Sequence, residues 1–330
     1  MAVLVTGGLG YVGSHAVKRL VDRGEEVVNL DNLVFGHPEA ACGSQVVVGD
    51  IGDRRALQDI FRRWKIDAVM HFAALADVGE SVAEPRKYYL NNVSKSVTLL
   101  EAMLDHGVKL MIFSSSAAVF GEPEVVPIPE NHPKNPTNPY GRSKLMLEEI
   151  LREFERAYGL RSISLRYFNA SGADPSGEIG EDHTPEHHLI PLVLQAALGQ
   201  RDHVKVFGAD WPTPDGTCVR DYVHVTDLAQ AHLLALDALR NGYGTAEYNL
   251  GNGSGYSVLQ VIEMARQVTG RDVKSENAPR RPGDPAVLVA SSAKITDELG
   301  WRPQFPELRT IIETAWKWHS SHPSGYGSGK

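Results

Sequence analysis

The chain has 330 residues, a formal net charge of −8 and 42% hydrophobic residues, enough for one large or two ordinary domains with substantial cores. The acidic balance argues against nucleic acid or an anionic membrane surface as the main partner. No apolar run reaches the length of a membrane span, and the amino terminus reads as a strand rather than a signal segment.

The first predicted element is the apolar strand Ala2 to Val5, followed by Thr6-Gly7-Gly8-Leu9-Gly10-Tyr11-Val12-Gly13 and a helical pattern from Ser14 to Arg23. Gly7, Gly10 and Gly13 thus lie where a strand turns into a helix, the context that a dinucleotide fingerprint requires. The glycines permit a tight turn, close approach of backbone to a pyrophosphate, and packing of helix on strand. A helix amino terminus at that point offers free N–H groups to phosphate. A second strand, Glu26 to Leu30, ends at Asp31, placed to bond the adenosine ribose and to repel a 2′-phosphate. NAD is therefore the expected cofactor, in preference to NADP.

Further strands are expected at Gln45 to Gly49, Ala68 to Phe72, Leu110 to Ser114 and Ser162 to Arg166, alternating with helical patterns. That alternation predicts an α/β fold of the Rossmann type, a doubly wound parallel sheet. The fifth strand ends in Ser114-Ser115-Ser116, which puts hydroxyls at the carboxyl edge of the sheet, where such folds hold ligands. Asn138 and Pro139 then read as a cap and first-turn proline of a helix running to Ala157, before Gly159. Tyr140 and Lys144, four residues apart, share one face of it. A tyrosine becomes a useful base only if its phenolate is favoured, and the Lys144 ammonium and a positive nicotinamide would both favour it.

After Asn169 the texture shifts to Gly, Pro, Asp and His, with helices only at Leu189 to Leu198 and Val225 to Leu239. The expected organisation is residues 1–168 as the NAD-binding domain and residues 169–330 as a smaller, interleaved substrate region. The tail from Ser321 to Lys330 reads as flexible. Cys42 and Cys218 lie outside any paired metal or redox spacing and fit a reducing, cytoplasmic compartment. His183-Thr184-Pro185-Glu186-His187 matches a reversed zinc-protease box, but Pro185 interrupts the helix that His183 and His187 would need. No metal is expected.

With these motifs in place, the chain resembles the extended short-chain dehydrogenase/reductase family on its sugar-nucleotide 4-epimerase branch, over nearly its whole length. Glycines and YxxxK carry only the superfamily. The more specific blocks are Val78-Gly79-Glu80-Ser81, Arg166 to Asn169 and Arg220-Asp221-Tyr222, and Ala278 to Asp284 is a further matching block. The resemblance implies inversion at C4 of UDP-glucose and UDP-galactose through a 4-keto sugar, with NAD retained. Tyr140 would be the base, Ser116 its proton-relay partner and Lys144 the group that tunes it.

By the same resemblance, Gly7, Gly10, Tyr11, Val12, Gly13, Asp31, Asn32, Asp50, Ile51, Phe72, Ala73, Ala74, Asn91, Ser114, Tyr140, Lys144 and Tyr167 hold the cofactor. Ser116, Tyr140, Asn169, His188, Leu189, Val204, Phe207, Arg220, Arg281, Asp284 and Leu288 hold the UDP-sugar. The two arginines suit a diphosphate because each can donate two parallel bonds. A homodimer built on the helices near Asn92 to His106 and Tyr140 to Tyr158 is also implied.

Three positions depart from the branch pattern: Ala76 replaces a lysine that reaches the NAD, His188 an asparagine near the substrate, and Leu288 a bulky tyrosine that excludes N-acetylated sugars. UDP-N-acetylglucosamine is therefore a further expected substrate. Ala117 and Ala118, in place of an acid, disfavour a dehydratase or decarboxylase. Pentose or uronate epimerases, an NADH-exchanging dehydrogenase and a non-catalytic NAD-binding protein are the alternatives.

Overall fold

The structure, a computed structural model, describes residues 1–281 and 284–327. Pro282 and Gly283, inside the Ala278 to Asp284 block, and residues 328–330 of the tail lie outside the described residues. Seven parallel strands form the central sheet: β1 Ala2–Thr6, β2 Glu26–Asp31, β3 Gln45–Val48, β4 Ile66–His71, β5 Leu110–Ser114, β6 Arg161–Tyr167 and β7 Ala246–Leu250. Their spatial order is β7-β6-β5-β4-β1-β2-β3. The order reverses between β1 and β4, and there the carboxyl ends open a crevice of the kind in which doubly wound folds bind ligands.

The sheet is apolar through its centre because both faces are covered. All of Ala2–Thr6 is buried, and its neighbours are buried along nearly their whole length, as parallel strands covered on both faces are. On one face Val3, Val5 and Ile163 pack with Val17 and Leu20, and with Leu228, Ala231 and Leu236 of the helix Val225–Arg240. On the other, Leu4, Val69 and Met111 meet Leu57, Leu99, Leu147 and Leu151. Each such side chain contributes about 1.5–3 kcal/mol on leaving water.

The second half of the chain thus supplies both a covering helix and the edge strand β7 to the first layer. The interleaving is deeper than a division at residue 168 conveys. The remainder forms a separate core, where Val193, Leu194, Val204, Val206, Val261, Ile262, Ile311 and Ile312 bring together the helices Leu189–Ala197, Val258–Thr269 and Leu308–Ser321. Short strands complete it: Val204–Phe207 beside Ser275–Ala278, and Val219–Arg220 between Tyr256–Ser257 and Val287–Leu288.

The tail departs from the flexible segment that its composition predicts. Through residue 327 it is docked: Tyr326 stacks on His37 with centroids 4.8 Å apart and lies 4.7 Å from Trp318, while its N–H donates to Asp182 Oδ2 at 3.0 Å. One aromatic side chain outweighs the glycines and serines around it.

Candidate active site

The glycine turn is built by steric necessity. Gly7 has φ +71°, and a Cβ there would lie 2.6 Å from the backbone N of Ala73 at the end of β4; a Cβ on Gly13 would meet the Gly7 carbonyl at 2.2 Å. Gly10 is different. Its Cβ position meets nothing closer than the Gly7 oxygen at 3.5 Å, and as the N-cap of the helix Tyr11–Asp22 it offers no side-chain cap to the first-turn N–H groups. That is an anion cradle, and it fits a dinucleotide pyrophosphate.

Asp31 lies at the end of β2, where Oδ2 accepts from Leu9 N at 3.1 Å and Oδ1 from Leu33 N at 2.9 Å. It therefore braces the turn as well as presenting carboxylate oxygens beside it. Asp50 pairs with Lys95 Nζ at 2.6 Å and with the N–H of Gly52. Burial raises its pKa, but the ammonium and the N–H more than offset this and hold it below the usual carboxylate range. Asn32 reaches Asp50 at 3.4 Å, and Ile51 is buried beside it. Phe72 and Ala73 both donate their N–H groups to the Thr6 carbonyl, so β4 is pinned to β1 at the crevice.

Tyr11 is turned toward the second layer: its hydroxyl donates to the Gly172 carbonyl at 2.6 Å. A turn of π-helix, Tyr89–Ser94, carries Asn91 and Asn92, and such turns gather at functional sites. Asn92 exchanges hydrogen bonds with the N–H and carbonyl of Leu75 at 2.9 and 3.0 Å and donates to Ser143 Oγ at 3.1 Å. It ties the segment after β4 to the Tyr140 helix, a role absent from the sequence reading.

That helix, Pro139–Tyr158, is capped as its sequence demands: Asn138 Oδ1 accepts from Gly141 N at 2.9 Å and Gly159 ends it in the left-handed region. A Cβ on Gly141 would lie 2.5 Å from the Ala118 carbonyl, so glycine lets the helix close onto the Ser116 turn. Ser116 Oγ caps that turn by accepting from Ala118 N at 3.1 Å. Burial raises the Tyr140 hydroxyl pKa, and a hydrogen bond with Ser116 pulls it partly back. Lys144 Nζ donates to the Ser114 carbonyl at 2.8 Å and lies 5.9 Å from the centre of the Tyr140 ring.

The expected tuning of Tyr140 by Lys144 takes a different form. Burial lowers the Lys144 ammonium to about 7, with Glu148 opposing the shift. The amine is thus poised near neutrality, while burial holds the phenol above its ordinary value. Ser114 Oγ and the Tyr167 hydroxyl are hydrogen-bonded at the end of β5 and β6. Below them is a layer that the sequence reading missed: Glu148, one turn beyond Lys144, accepts from Ser115 Oγ at 2.7 Å and pairs with Arg166. The signal was an arginine inside the apolar strand Ser162 to Arg166.

On the substrate side, the fold gathers some predicted residues and not others. Arg281 lies over the Phe207 ring at 3.9 Å, and Arg220 faces Asp284 at 3.6 Å. Asn169 is held to the Asp221 carbonyl at 3.1 Å, and Leu288 packs with Ala117, Val119 and Phe120 beside Ser116. Val204 is in the carboxyl-terminal core at 2% exposure, so its side chain is not available to a ligand. Leu189 begins its helix and packs on the same core. His188 points Nδ1 at Glu181 and Glu186, 2.8 and 3.1 Å away.

A crevice at the strand reversal, an open phosphate turn and a Ser–Tyr–Lys group at the carboxyl edge define a nicotinamide-dependent enzyme acting on a hydroxyl carbon. The chain belongs to the NAD dependent epimerase/dehydratase family, whose model matches residues 3–251. It is 55% identical over 328 residues to a UDP-glucose 4-epimerase of Halalkalibacterium halodurans, covering 99% of this chain and 98% of that relative. A crystal structure of a UDP-glucose 4-epimerase superposes with a TM-score of 0.97 at 51% identity, covering 99% of this chain and 100% of that one. The Bifidobacterium longum UDP-glucose 4-epimerase in complex with NAD+ and UDP superposes at 0.95 with 40% identity, over 99% of this chain and 100% of that one.

Proposed function

We infer that the chain is an NAD-dependent isomerase that interconverts UDP-glucose and UDP-galactose by inversion at C4. The observation that carries this reading is the convergence of Ser116, Tyr140 and Lys144 at the carboxyl edge of β5, next to the phosphate turn after β1. Tyr140 accepts the proton of the sugar 4-hydroxyl, Ser116 holds the same oxygen, and Lys144 compensates the charge that Tyr140 gains. Ionising the phenol draws a proton onto the amine, because each charge stabilises the other. Bound NAD supplies the hydride acceptor at C4 and, after the keto sugar has turned, the hydride donor to its opposite face. The proton returns from Tyr140, so the reaction leaves no net redox change.

Arg220 and Arg281 bind the diphosphate and Phe207 lies against the uracil, leaving the hexose free to rotate. UDP-N-acetylglucosamine is a second substrate in this reading, supported by the leucine at position 288 beside the Ser116 turn. Among the described residues no helix is long and apolar enough to cross a membrane; a cytoplasmic homodimer built on the helices Lys95–Asp105 and Pro139–Tyr158 is the working form.

The test is to incubate purified protein with UDP-galactose, without added cofactor, and to follow the sugar nucleotides by chromatography. UDP-glucose should appear with no NADH released. Absence of conversion, with NAD added and with the N-acetyl and pentose analogues tried, overturns the reading.

A further inference from the structure

The box at residues 183–187 does not form a helix, as Pro185 predicts, yet the segment around it brings together a different set of donors. Glu181, His183, Glu186 and His188 each offer one ligand atom, and these atoms all lie within 4.8 Å of one another. His187, the second histidine of the box, turns away to Asp77 at 3.3 Å. We propose that Glu181, His183, Glu186 and His188 form a structural site for one divalent cation of the zinc class.

The spacing fits the ion. Glu181 Oε1 is 3.4 Å from His183 Nδ1 and 2.8 Å from His188 Nδ1; Glu186 is 3.6 Å from His183 Nδ1 through Oε2 and 3.1 Å from His188 Nδ1 through Oε1. Tetrahedral zinc, bonded to nitrogen and oxygen at about 2.0–2.1 Å, separates its ligand atoms by about 3.3 Å. The four histidine–carboxylate distances bracket that value, and the ligand atoms as a set lie within 4.8 Å of one another.

The second observation concerns hydrogen bonding. Glu181 is 4% exposed, and both its Oε1 and His183 Nδ1 are buried without a hydrogen-bond partner. The 2.8 Å approach of His188 is close enough for an ion pair, but its angle is wrong for a hydrogen bond. Buried polar atoms are seldom left so. Glu186 Oε1 hydrogen-bonds His188 Nδ1 at 3.1 Å and accepts from the His187 and His188 N–H groups, but Glu181 Oε1 and His183 Nδ1 crowd the same centre without aiming at one another, as ligands of a common ion do. Two imidazoles and two carboxylates are a donor set for zinc rather than for magnesium or calcium, which favour all-oxygen shells. Two carboxylate charges and a divalent cation also cancel, which the burial of the Glu181 carboxylate requires, although His188 at the rim is exposed.

The location assigns the role. The His183 ring is 6.3 Å from Tyr11, in the helix that follows the phosphate turn. The Glu181 carbonyl accepts from Trp318 Nε1 at 3.3 Å, in the carboxyl-terminal helix, and His188 leads directly into the helix Leu189–Ala197. Four protein ligands leave no open position for substrate. The ion would fasten the second layer against the cofactor turn.

The test uses full-length holoprotein prepared without a metal-affinity tag from zinc-supplemented medium. Elemental analysis should find about one zinc per chain after desalting, and at least a tenfold loss in the Glu181→Gln/His183→Asn variant. Cobalt(II) loaded into chelator-treated wild type should give the intense visible absorption of a four-coordinate ion, a readout that needs no variant to fold. Zinc held equally by wild type and variant, or a six-coordinate cobalt spectrum with no stoichiometric zinc, overturns the proposal.

Discussion

Arg166 and Glu148 form a two-point ion pair closed to solvent: Nε meets Oε1 at 2.8 Å and Nη2 meets Oε2 at 2.6 Å, with both side chains at 0% exposure. Glu148 also accepts from Ser115 and stands one turn below Lys144, so this pair is the floor beneath the reacting groups. Replacing Glu148 by Gln leaves a guanidinium buried without its counter-charge, at a cost of about 3–5 kcal/mol. Denaturant unfolding should show that loss. The paired change Glu148→Leu with Arg166→Met should recover most of it, because no unpaired guanidinium then remains inside.

Tyr140→Phe should reduce turnover by about 10²–10⁴-fold while leaving NAD bound. The fold around the crevice does not depend on the phenol oxygen. Extraction and quantification of nucleotide from the variant separates lost chemistry from lost cofactor, and turnover near the wild-type rate would remove Tyr140 from its assigned role.

The pH profile follows from Lys144. With its pKa near 7, the Tyr140–Lys144 pair carries two protons below neutrality and Tyr140 is a phenol. Raising the pH through about 7 removes one proton from the pair, and the proton that remains can be shared so that Tyr140 acts as base. Turnover should climb through that value and level off above it. Lys144→Met should carry the rising limb toward the ordinary tyrosine range, which stopped-flow reduction of the bound nucleotide across pH will reveal.

Gly141→Ala tests positioning without touching a reacting group. Its Cβ would contact the Ala118 carbonyl at 2.5 Å, pushing the Tyr140 helix off the Ser116 turn. A displacement of about 1 Å costs about 10²-fold in rate. The loss should fall on kcat, with nucleotide affinity preserved.

Acid should unfold the protein through its buried imidazoles. Burial lowers His71 and His224 to about 3, and His15 and His232 to about 4. In the unfolded chain these groups take up protons near 6.5, whereas in the folded chain they stay neutral until pH 3–4. The stability that these four supply is therefore complete above 6.5 and falls between 6.5 and 3–4, by about 1.4 kcal/mol per pH unit for each histidine. Melting temperatures measured from pH 7 to 4 should decline steeply, and His232→Gln should flatten part of the slope.

Much of this was legible in the residues. The glycine turn, the Asn138 cap and the face shared by Tyr140 and Lys144 depend on local chemistry, which sequence carries directly. Strand β7 was not legible, because Ala246-Glu247-Tyr248-Asn249-Leu250 mixes polar residues into a run whose burial is decided by β6 beside it. The π-turn at Asn91 and Asn92, the Glu148–Arg166 pair and the docked Tyr326 share that cause: each is settled by a partner distant in the chain. At the His183 box, Pro185 told correctly that no helix forms, whereas the approach of Glu181 and His188, both outside the box, to His183 and Glu186 is settled by the folded loop and not by any spacing rule.

The late arrival of β7 and of the helix Val225–Arg240 has a consequence for biosynthesis. Until about three-quarters of the chain has left the ribosome, β6 presents an unpaired edge, and Val17 and Leu20 an uncovered apolar face. Such surfaces are templates for aggregation. A fragment ending at residue 168 should therefore be a client for chaperones rather than a free-standing nucleotide-binding module, and the order of synthesis makes the second half a required guest in the first.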